Sequence, residues 1–523
     1  AGAVTDAVFT ARFVTARVRV VAADGKPAGG LVVTMDCTAE PKGWQWWTTD
    51  ADGWITIELT HTSPFTLVVY EPARLAWFLL EAAVLVWCGG ALWRLYDGGP
   101  AKAEIAPAKE DKRMDKHWIP RGLRRCSLSR FLAWLTPWTL LLIFGVYAAA
   151  LCLWKGLNQT NMDNRFAFGL WIFLDLTVIA LGAGAFFSGF LLYLMKKTEL
   201  RAVINTAVVV GFVCYSGAVL VLMVDVGQPL RAWFTFWHPN VHSMLTEVTF
   251  CITCYLTVLL IEYVPIVFRN RKIKDIPSFL VFEHQLHKVM PVFAAVGTFL
   301  SFFHQGSLGG LYGVLRGRPF AFREGLAIWP TTFFLFILSA IAAGPSFLAL
   351  ITWTVEKVSH KQLVERRVYG TLAKVSGILL AAYVLLKSVD TLIWINSTSP
   401  AFGFSAHGFY TNEPFGTWML VCEIFVCGLL PALILMTPKL RGDLRWVMPA
   451  AALACCGVAL NRFVLTIQTL ATPTLPFDEF MTYMPSWQET GTFLAVVAYG
   501  VLTYSLSFRY LPMFPQEREL AKS

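Results

Sequence analysis

Residues 225–268 read Asp-Val-Gly-Gln-Pro-Leu-Arg-Ala-Trp-Phe-Thr-Phe-Trp-His-Pro-Asn-Val-His-Ser-Met-Leu-Thr-Glu, then an apolar run that closes with Glu-Tyr-Val-Pro-Ile-Val-Phe. The stretch leaves one apolar segment at Asp225, crosses an aromatic loop and enters a second segment that contains Glu247 and Glu262. Transfer of a carboxylate into lipid is costly, so a carboxylate inside an apolar segment of membrane-spanning length predicts a residue with a role in function. Fifteen residues separate the two glutamates, so on a helix they lie about 60° apart around the axis and about 22 Å apart along it. One helix face therefore carries an ionisable group near each membrane surface, which suits a proton path serving a redox site.

The composition is that of a membrane protein. Of its 523 residues, 56% are hydrophobic and only 15% are charged, whereas soluble domains carry about 25% charged residues. Repeated apolar runs of about 18 residues or more predict a polytopic α-helical membrane protein embedded in the lipid bilayer. The net charge of +9 is explained by basic loops on one side of a membrane, so it does not indicate binding to nucleic acid.

Residues 1–72 differ from the rest of the chain and predict a small all-β domain. Segments that alternate apolar with polar or small residues predict strands at 12–21, 31–35, 53–59 and 65–70. Asp24-Gly25 and Asp50-Ala-Asp-Gly53 are hairpin turn signals. The pattern resembles the carboxypeptidase-regulatory-like β-sandwich. Three tryptophans crowd a predicted loop at 44–47, where they either fill the core or form a docking surface for a partner.

Eleven apolar segments are long enough to span the membrane. An extra span at 74–95 follows the β domain, and a polar linker at 96–130 separates it from a ten-helix membrane domain at 131–515. The predicted spans of that domain are 131–154, 167–195, 203–226, 244–268, 289–312, 325–355, 371–395, 415–437, 445–469 and 490–511. Residues 516–523 form a short tail.

The distribution of basic residues predicts the orientation. Lysine and arginine cluster in alternate loops, at 196–197, 269–274, 357–367 and 439–445. The positive-inside rule places these loops and the C-terminus in the cytoplasm. The β domain and the loop at 225–242 then lie on the periplasmic side of a bacterial inner membrane.

The cysteines and histidines predict neither a metal centre nor a haem in this chain. Cys251 and Cys254 form a C-x-x-C pair, but the pair lies inside an apolar segment and no second pair stands at metal-site spacing. A b-type haem in a membrane needs two axial histidines at similar depth on facing helices. His304 is predicted near one surface, His284 and His287 near the other, and no predicted span has a central histidine.

Several short motifs follow one another between about residue 131 and residue 515. They are Phe168-Gly-Leu-Trp-Ile-Phe-Leu-Asp175, Asp225-Val-Gly-Gln-Pro229, Asn240-Val-His-Ser-Met-Leu-Thr-Glu247, Leu260-Ile-Glu262, His304-Gln-Gly-Ser-Leu-Gly309 and Pro485-Ser-Trp-Gln-Glu489. In this order they resemble the NrfD family, the membrane subunits of polysulfide reductase and related complexes. Within that family the chain most resembles the HybB-type quinone-reactive subunit of periplasmic nickel–iron hydrogenases and subunits of transmembrane redox complexes of sulfate reducers. Gln228 stands where the family often has a basic residue, and the β domain with its extra span is an addition to the hydrogenase type.

The resemblance implies a fold and a function. The ten spans would form two helix bundles that bind no haem of their own. The chain would pass electrons between a periplasmic four-cluster iron–sulfur protein and the quinone pool, with menaquinone as the expected quinone. A hydrogenase-like catalytic subunit or a multihaem cytochrome would complete this oxidoreductase complex. Neither the direction of electron flow nor coupling to proton translocation follows from the sequence.

Six residues are predicted to contact quinone or exchange protons with it: His304, Glu247, Asp225, Gln305, Asp175 and Ser307. On the predicted topology an imidazole and two acids, from three elements, reach the same membrane depth, and histidine suits proton exchange near neutral pH. Asp175 joins this set through the family resemblance. The alternatives are structural: His304 and Glu247 would bridge helices, Asp175 would bond a neighbouring helix, and Asp225 would hold Arg231.

A second set of charged residues lies in the later spans. Together with Glu262, the predicted proton-transfer residues are Lys387, Asp390, Glu423 and Arg462. Because unpaired charges at this depth would be costly, the alternative is a structural ion-pair cluster. In the outer loop, Trp237, His238 and His242 are predicted to line the face on which the iron–sulfur partner docks.

Two other functions compete with the redox interpretation. An ion or solute transporter would use the same buried charges as its pathway, but it should show an internal repeat with interrupted helices, and none is evident. A subunit that only anchors a periplasmic enzyme would not need carboxylates inside the membrane.

Overall fold

The computed structural model describes residues 125–240, 243–270, 277–313, 331–401, 406–411, 415–471 and 479–514, and five strands nearer the N-terminus. In the strands, and at 185–186, 277–291, 313, 331 and 407, it describes the backbone alone. The chain divides into two compact units, 1–89 with 238–247 and 90–237 with 248–523. The predicted span at 74–95 lies outside the described residues.

The strands form two antiparallel sheets. β1 (Val14–Arg19) pairs with β4 (Trp54–Leu59), and β2 (Val32–Cys37) lies between β3 (Trp46–Thr48) and β5 (Phe65–Tyr70). Four strands lie where the alternation of residues predicts them, and the tryptophan-rich segment forms β3 instead of a loop. The two predicted hairpins are wrong for the described strands, since β1 pairs with β4 and β3 with β2. A turn dipeptide fixes a local bend but not the partner of the strand that follows it.

Ten long helices follow the strands in the part of the chain that the structure describes. They are α1 (Leu128–Lys155), α2 (Leu170–Tyr193), α3 (Ile204–Asp225), α4 (Met244–Phe268), α5 (Pro277–Gly313), α6 (Thr331–Ser359), α7 (Arg366–Ala401), α8 (Thr417–Met436), α9 (Leu444–Ala471) and α10 (Trp487–Tyr510). Among the described helices, all of these except α5 are long and apolar enough to cross a membrane. This part of the chain is therefore a polytopic helical membrane protein, as predicted.

The connections contain short helices and turns. Helical segments lie at Phe234–Trp237, Ala406–Thr411 and Pro438–Arg441, and 3-10 turns lie at Leu157–Gln159, Thr198–Ala202 and Pro229–Arg231. Three long helices also contain a π-helical turn: Trp394–Thr398 in α7, Cys422–Leu429 in α8 and Val464–Gln468 in α9. Such turns inside α-helices are frequent at functional sites.

The helices pack in two groups that meet where α2 contacts α6 and α9. One group consists of α1, α2, α3 and α10 and the other of α6, α7, α8 and α9, while α5 contacts both α2 and α6. Gly184 of α2 allows the closest approach to α6. A Cβ atom at Gly184 would lie 2.0 Å from the carbonyl oxygen of Ala340 and 2.5 Å from the Cα of Gly344. Small residues at such contacts let helix backbones approach closely in a membrane.

The described connections alternate between two ends of the helices, as the loop pattern predicts. At one end, the Nδ2 of Asn161 donates to the carbonyl of Met484 at 2.9 Å. At the other end, the hydroxyl of Thr371 donates to Glu199 at 3.1 Å, and the Nδ2 of Asn270 donates to the carbonyl of Tyr510 at 2.8 Å. The basic loops, including 196–197 and 439–445, belong to this second end, which is called the basic end below.

Candidate functional site

A group of buried polar side chains lies near the middle of α3 and α4 and in the last third of α5. His304 and Gln305 of α5 are 0% and 1% exposed, and their side-chain nitrogen and oxygen atoms have no hydrogen-bond partner among the described residues. The ring of Tyr215 lies 5.7 Å from that of His304 and 4.3 Å from that of Tyr255, between centroids. Ser301 lies one turn before His304 and beside both tyrosines. Because unsatisfied buried polar atoms are rare in native proteins, this central cluster fits a polar ligand or water.

His304 and Asp225 lie at different depths. Nine helical residues follow it in α5, which corresponds to about 13 Å of helix. The residue that it contacts, Tyr215, lies ten residues before Asp225 at the end of α3, or about 15 Å along the axis. Asp225 and His304 therefore do not share one depth, in contrast to the prediction.

Two carboxylates lie nearer the end of the bundle that faces away from the basic end. Asp225 is the last residue of α3, and Asp175 lies in the second turn of α2, where it is 4% exposed. The two carboxyl groups are close enough to interact electrostatically, and Asp175 is also within electrostatic range of Tyr215. In each carboxylate, Oδ1 is buried and has no hydrogen-bond partner in the described part of the chain. Asp175 thus connects Asp225 with the central cluster.

Glu489 holds the loops at this end together. Its Oε2 accepts from the backbone N–H of Ser486 at 2.9 Å, while the Ser486 hydroxyl accepts from the N–H of Glu489 at 3.2 Å, which forms a capping box at the start of α10. The same Oε2 accepts from the N–H of Asn161 at 2.9 Å, and Oε1 accepts from the hydroxyl of Tyr483. The Tyr483 oxygen accepts in turn from the N–H of Leu170 at 2.9 Å. Burial and the neighbouring Glu489 raise the pKa of Tyr483 above its ordinary value.

This arrangement fixes the start of α2. A Cβ atom at Gly169 would lie 2.5 Å from the Tyr483 hydroxyl and 2.7 Å from Oε1 of Glu489, so only glycine fits without displacement. The indole N–H of Trp171 donates to the carbonyl of Glu489 at 3.1 Å. Because Asp175 follows one turn after Trp171 on the same helix, these contacts set the position of its carboxylate.

The two glutamates of α4 are both buried. Glu247 lies in the first turn and is 7% exposed, and Glu262 lies near the far end and is 3% exposed. Glu262 borders a small open pocket at the basic end, and one of its carboxylate oxygens, Oε2, has no hydrogen-bond partner among the described residues. Other residues that line the pocket are Tyr193, Asn205, Pro265 and Arg269.

Glu423 and Arg462 belong to one hydrogen-bonded network in the second group of helices. Oε1 of Glu423 accepts from the Tyr383 hydroxyl at 3.2 Å and from Nδ2 of Asn461 at 2.8 Å. Arg462 donates to Oδ1 of Asn461 at 2.7 Å and to the Ser339 hydroxyl at 2.9 Å. Asn461 therefore links the carboxylate to the guanidinium group. Two more predicted residues, Lys387 and Asp390 of α7, are 4% and 6% exposed.

The remaining predicted residues fall into different environments. Ser307 is buried, and its hydroxyl donates to the carbonyl of Phe303 in its own helix at 2.8 Å. Trp237 is 67% exposed and His238 is exposed, whereas His242 lies outside the described residues. Leu230 is 87% exposed in the same connection, which gives this loop an apolar surface.

Sequence reasoning missed Tyr215, Ser301, Tyr255 and Glu489 as site residues. Tyr255 could have been found, because it lies seven residues before Glu262 and thus on nearly the same helix face. Glu489 stands out in the sequence only as the end of a motif. Tyr215 lies in a uniformly apolar segment, where an aromatic residue gives no functional signal.

Comparison with known proteins agrees with the motifs. Residues 158–474 match the family model described as "Polysulphide reductase, NrfD". The chain is 50% identical over 408 residues to the "Menaquinone reductase, integral membrane subunit" of Nitratidesulfovibrio vulgaris (strain Hildenborough), covering 78% of this chain and 97% of the relative. It is 25% identical over 363 residues to the "Probable Ni/Fe-hydrogenase 2 b-type cytochrome subunit" of Escherichia coli (strain K12), covering 68% and 86%. The chain belongs to the NrfD (polysulphide reductase) family of membrane proteins.

Proposed function

We propose that this chain is the quinone-reactive membrane subunit of a multi-subunit respiratory redox complex, with menaquinone as its quinone. The observation that carries the proposal is the central cluster, whose buried donors and acceptors at His304 and Gln305 have no partner among the described residues. A quinone ring presents two carbonyl oxygens that accept hydrogen bonds, and each gains a proton on reduction. The central cluster fits both needs, and a relative with half of its residues identical is named for menaquinone reduction.

When bound, the quinone would be held by His304 and Gln305 of the central cluster, with the carboxylate pair Asp175 and Asp225 as proton-exchanging partners. Nε2 of Gln305 would donate to one ring oxygen, and a ring nitrogen of His304 would donate a hydrogen bond and exchange a proton. Asp175 and Asp225 would form the proton-exchanging group, and Glu247 at the start of α4 is proposed separately as a further residue that contacts quinone. Ser307 can contribute only as an acceptor, since its hydroxyl proton is directed at Phe303.

Protons for the site enter from the basic end in this proposal. Glu262 supports that role because its carboxylate borders the open pocket and is otherwise buried. In the second group of helices, Glu423 and Arg462, together with Lys387 and Asp390, form a proton-transfer group that couples the redox reaction to transport. The network through Asn461 supports this coupling, because the Glu423 carboxylate accepts hydrogen bonds from the neutral side chains of Tyr383 and Asn461.

The proposed organisation follows the sequence boundaries. Residues 1–72 form a periplasmic β-sandwich, 74–95 an extra span, 96–130 a cytoplasmic linker, 131–515 a membrane domain of ten helices in two bundles, and 516–523 a cytoplasmic tail. The eleven spans lie in a bacterial inner membrane. The loop with Trp237, His238 and His242 docks a periplasmic four-cluster iron–sulfur protein, which joins the chain to a hydrogenase-like or multihaem cytochrome subunit. The exposed apolar side chains of that loop support the docking role.

We also propose that the chain itself holds neither haem nor metal. Among the histidines whose side chains the structure describes, which are His238, His304 and His360, His304 is the buried one, and a membrane b haem needs a second axial histidine facing it. The described residues contain no group of three or more metal-ligating side chains. Since a relative is named as a b-type cytochrome subunit, the absorption spectrum of the isolated chain is the direct test, and a stoichiometric Soret band would overturn this part.

The test of the main function uses the complex purified through a tag on this chain. We expect an iron–sulfur protein to co-purify, a quinone-site inhibitor to bind, and added menaquinone analogues to be reduced or oxidised. Gln305→Leu should weaken inhibitor binding about tenfold, which corresponds to the loss of one hydrogen bond to a buried group. A complex that binds no quinone analogue, or in which Gln305→Leu leaves affinity unchanged, would contradict the proposed site.

A further inference from the structure

Three hydroxyl-bearing side chains lie between Glu262 and His304. Tyr255 lies seven residues before Glu262 on α4, on nearly the same face and about 10 Å farther from the basic end. Tyr255 is within electrostatic range of Glu262, and Ser301 lies beside its hydroxyl. Ser301 also lies beside the hydroxyl of Tyr215, whose ring is 5.7 Å from that of His304. The residues thus form a series from the pocket at the basic end to the central cluster.

The burial of these side chains is complete. Tyr215 and Tyr255 are 0% exposed and Ser301 is 1% exposed. The hydroxyls of Tyr215 and Ser301 have no hydrogen-bond partner among the described residues. By contrast, the half-buried Tyr263 of α4 is bonded to the hydroxyl of Ser507 at 2.9 Å. An unsatisfied buried hydroxyl destabilises the fold by about 1–3 kcal/mol, so its retention calls for a functional explanation.

We infer that Tyr255, Ser301 and Tyr215 form a hydroxyl relay that carries protons between Glu262 and His304. The inference deepens the proposed function and rests on it. A hydroxyl can accept one hydrogen bond while it donates another, so it can receive a proton and release its own in the same step. Neither a phenylalanine ring nor an alanine methyl can do this.

Protons and charge balance at each step of the proposed transfer. For each proton delivered, the O–H bond of Glu262 breaks and a proton reaches the oxygen of Tyr255, which releases its own proton to Ser301. Ser301 passes its proton to Tyr215, and Tyr215 passes its proton to the unprotonated ring nitrogen of His304. Each hydroxyl ends neutral, Glu262 is left ionised and His304 is left protonated. A hydronium ion from the solvent in the pocket then returns a proton to Glu262 and is left as water, and the proton of His304 would pass to the reduced quinone oxygen.

The steps of the relay are longer than direct hydrogen bonds, because the hydroxyls of Ser301 and Tyr215 and the ring nitrogens of His304 have no partner within hydrogen-bond distance among the described residues. Bridging water or a small movement of these side chains would complete the short steps, and the first step is the longest. Glu262 and Tyr255 are separated by about 10 Å along α4, so the relay includes water between them. Water that bridges two polar groups transmits a hydrogen bond nearly as well as direct contact. Quinol oxidation would run the same series in the opposite direction, and no electron moves through it.

The relay is tested in the whole complex, reconstituted in liposomes, with Tyr215→Phe, Tyr255→Phe and Ser301→Ala. Each variant removes one hydroxyl and leaves the rest of the side chain. Turnover with a menaquinone analogue should fall at least tenfold in each, since a positioned proton-transfer group contributes about 10²–10⁴-fold. The ratio of rates in H2O and D2O should rise, and the Kd of a quinone-site inhibitor should stay within twofold of the parent value.

Tyr263→Phe is the matched control, because it removes a hydroxyl from the same helix that is already bonded to Ser507. It should leave turnover and the isotope effect within twofold of the parent. Relay variants that turn over like the parent would overturn the relay while the quinone function stands. A loss of inhibitor affinity equal to the loss of turnover would make these residues ligand contacts and would also overturn it. A parent complex that binds no quinone would remove the proposed function and the relay together.

Discussion

Glu489 accepts hydrogen bonds from two separate segments of backbone, at Asn161 and Ser486, and from the hydroxyl of Tyr483. Replacing it with alanine leaves these donors buried without an acceptor. We expect Glu489→Ala to lower the free energy of unfolding by about 1–3 kcal/mol or more, as for other unsatisfied buried groups. Thermal unfolding in detergent measures the effect. Glu479→Ala, at an exposed position of the same connection, is the control, and equal stability of the two variants would contradict the role given to Glu489.

His304 and Glu262 are expected to act differently on the same reaction. His304→Ala removes a donor at the ligand and should weaken inhibitor binding by about 1–3 kcal/mol, which is about fivefold to 150-fold. Glu262→Gln keeps the shape of the side chain but cannot ionise, so it should leave inhibitor affinity unchanged, slow turnover and abolish its dependence on membrane potential. Inhibitor affinity and turnover are measured in membranes for both variants. Equal losses of affinity would place Glu262 at the ligand, and unchanged turnover in Glu262→Gln would make it a structural group.

Glu423 allows the structural and proton-transfer roles of the second cluster to be separated. Glutamine at this position retains an oxygen that can accept from Tyr383 and Asn461 but cannot ionise. We expect Glu423→Gln to fold with nearly the parent stability and to generate a reduced membrane potential per electron transferred. A potential-sensitive dye in liposomes measures this ratio. An unchanged ratio at unchanged stability would assign the cluster to helix packing alone.

Sequence reasoning at this scale found charged residues better than neutral ones. Asp175, Asp225, Glu247 and Glu262 stand out because a carboxylate in an apolar segment is rare. Tyr215 and Ser301 do not, since a tyrosine or serine in a membrane helix is ordinary unless its neighbours in space are known. Those neighbours lie on other helices, and a single sequence does not contain the packing that brings them together.

At the scale of elements, the contact between α2 and α6 depends on Gly184. A Cβ atom there would lie 2.0 Å from a carbonyl oxygen of α6, so the helices would have to separate. We expect Gly184→Ala to destabilise the protein by about 1–3 kcal/mol, the usual cost of overpacking. Gly370→Ala is the control, because no atom lies within 4 Å of the added carbon and alanine favours a helix by up to about 1 kcal/mol. Thermal unfolding of the two variants should shift in opposite directions, and a stable Gly184→Ala would contradict the close contact.

The positions of the helices were easier to predict from the sequence than the depth of a side chain in the membrane or the pairing of the strands. Apolar length fixes the existence of a span, so α4 begins and ends where it was expected. The depth of His304 depends on how α5 slides against α3, and this register is set by side-chain packing. Strand pairing in β1–β5 is set by contacts between segments far apart in the chain, which local turn signals do not report.

At the scale of the whole membrane domain, the alternation of connections places most basic residues at one end and the carboxylate pair Asp175 and Asp225 near the other. Lysines and arginines gather in connections at the basic end, together with the pocket that Glu262 borders. Asp175, Asp225 and the loops held by Glu489 belong to the opposite end. A proton path between the ends would therefore cross the central cluster, which explains why its unsatisfied groups lie at mid-depth and not at a surface.

The orientation of these two ends can be measured with single cysteines. Asn158→Cys lies in the exposed connection between α1 and α2, and Glu365→Cys lies at the exposed start of α7 at the basic end. Because basic loops stay in the cytoplasm, a membrane-impermeant thiol reagent should label the first variant in intact cells or spheroplasts and the second only after permeabilisation. The parent chain, which contains an exposed Cys126, gives the background level of labelling. Labelling of both from one side would contradict the alternation of the helices. Reversed labelling would keep the fold but place Asp225 and the proposed docking loop in the cytoplasm, so the iron–sulfur partner would have to be cytoplasmic as well.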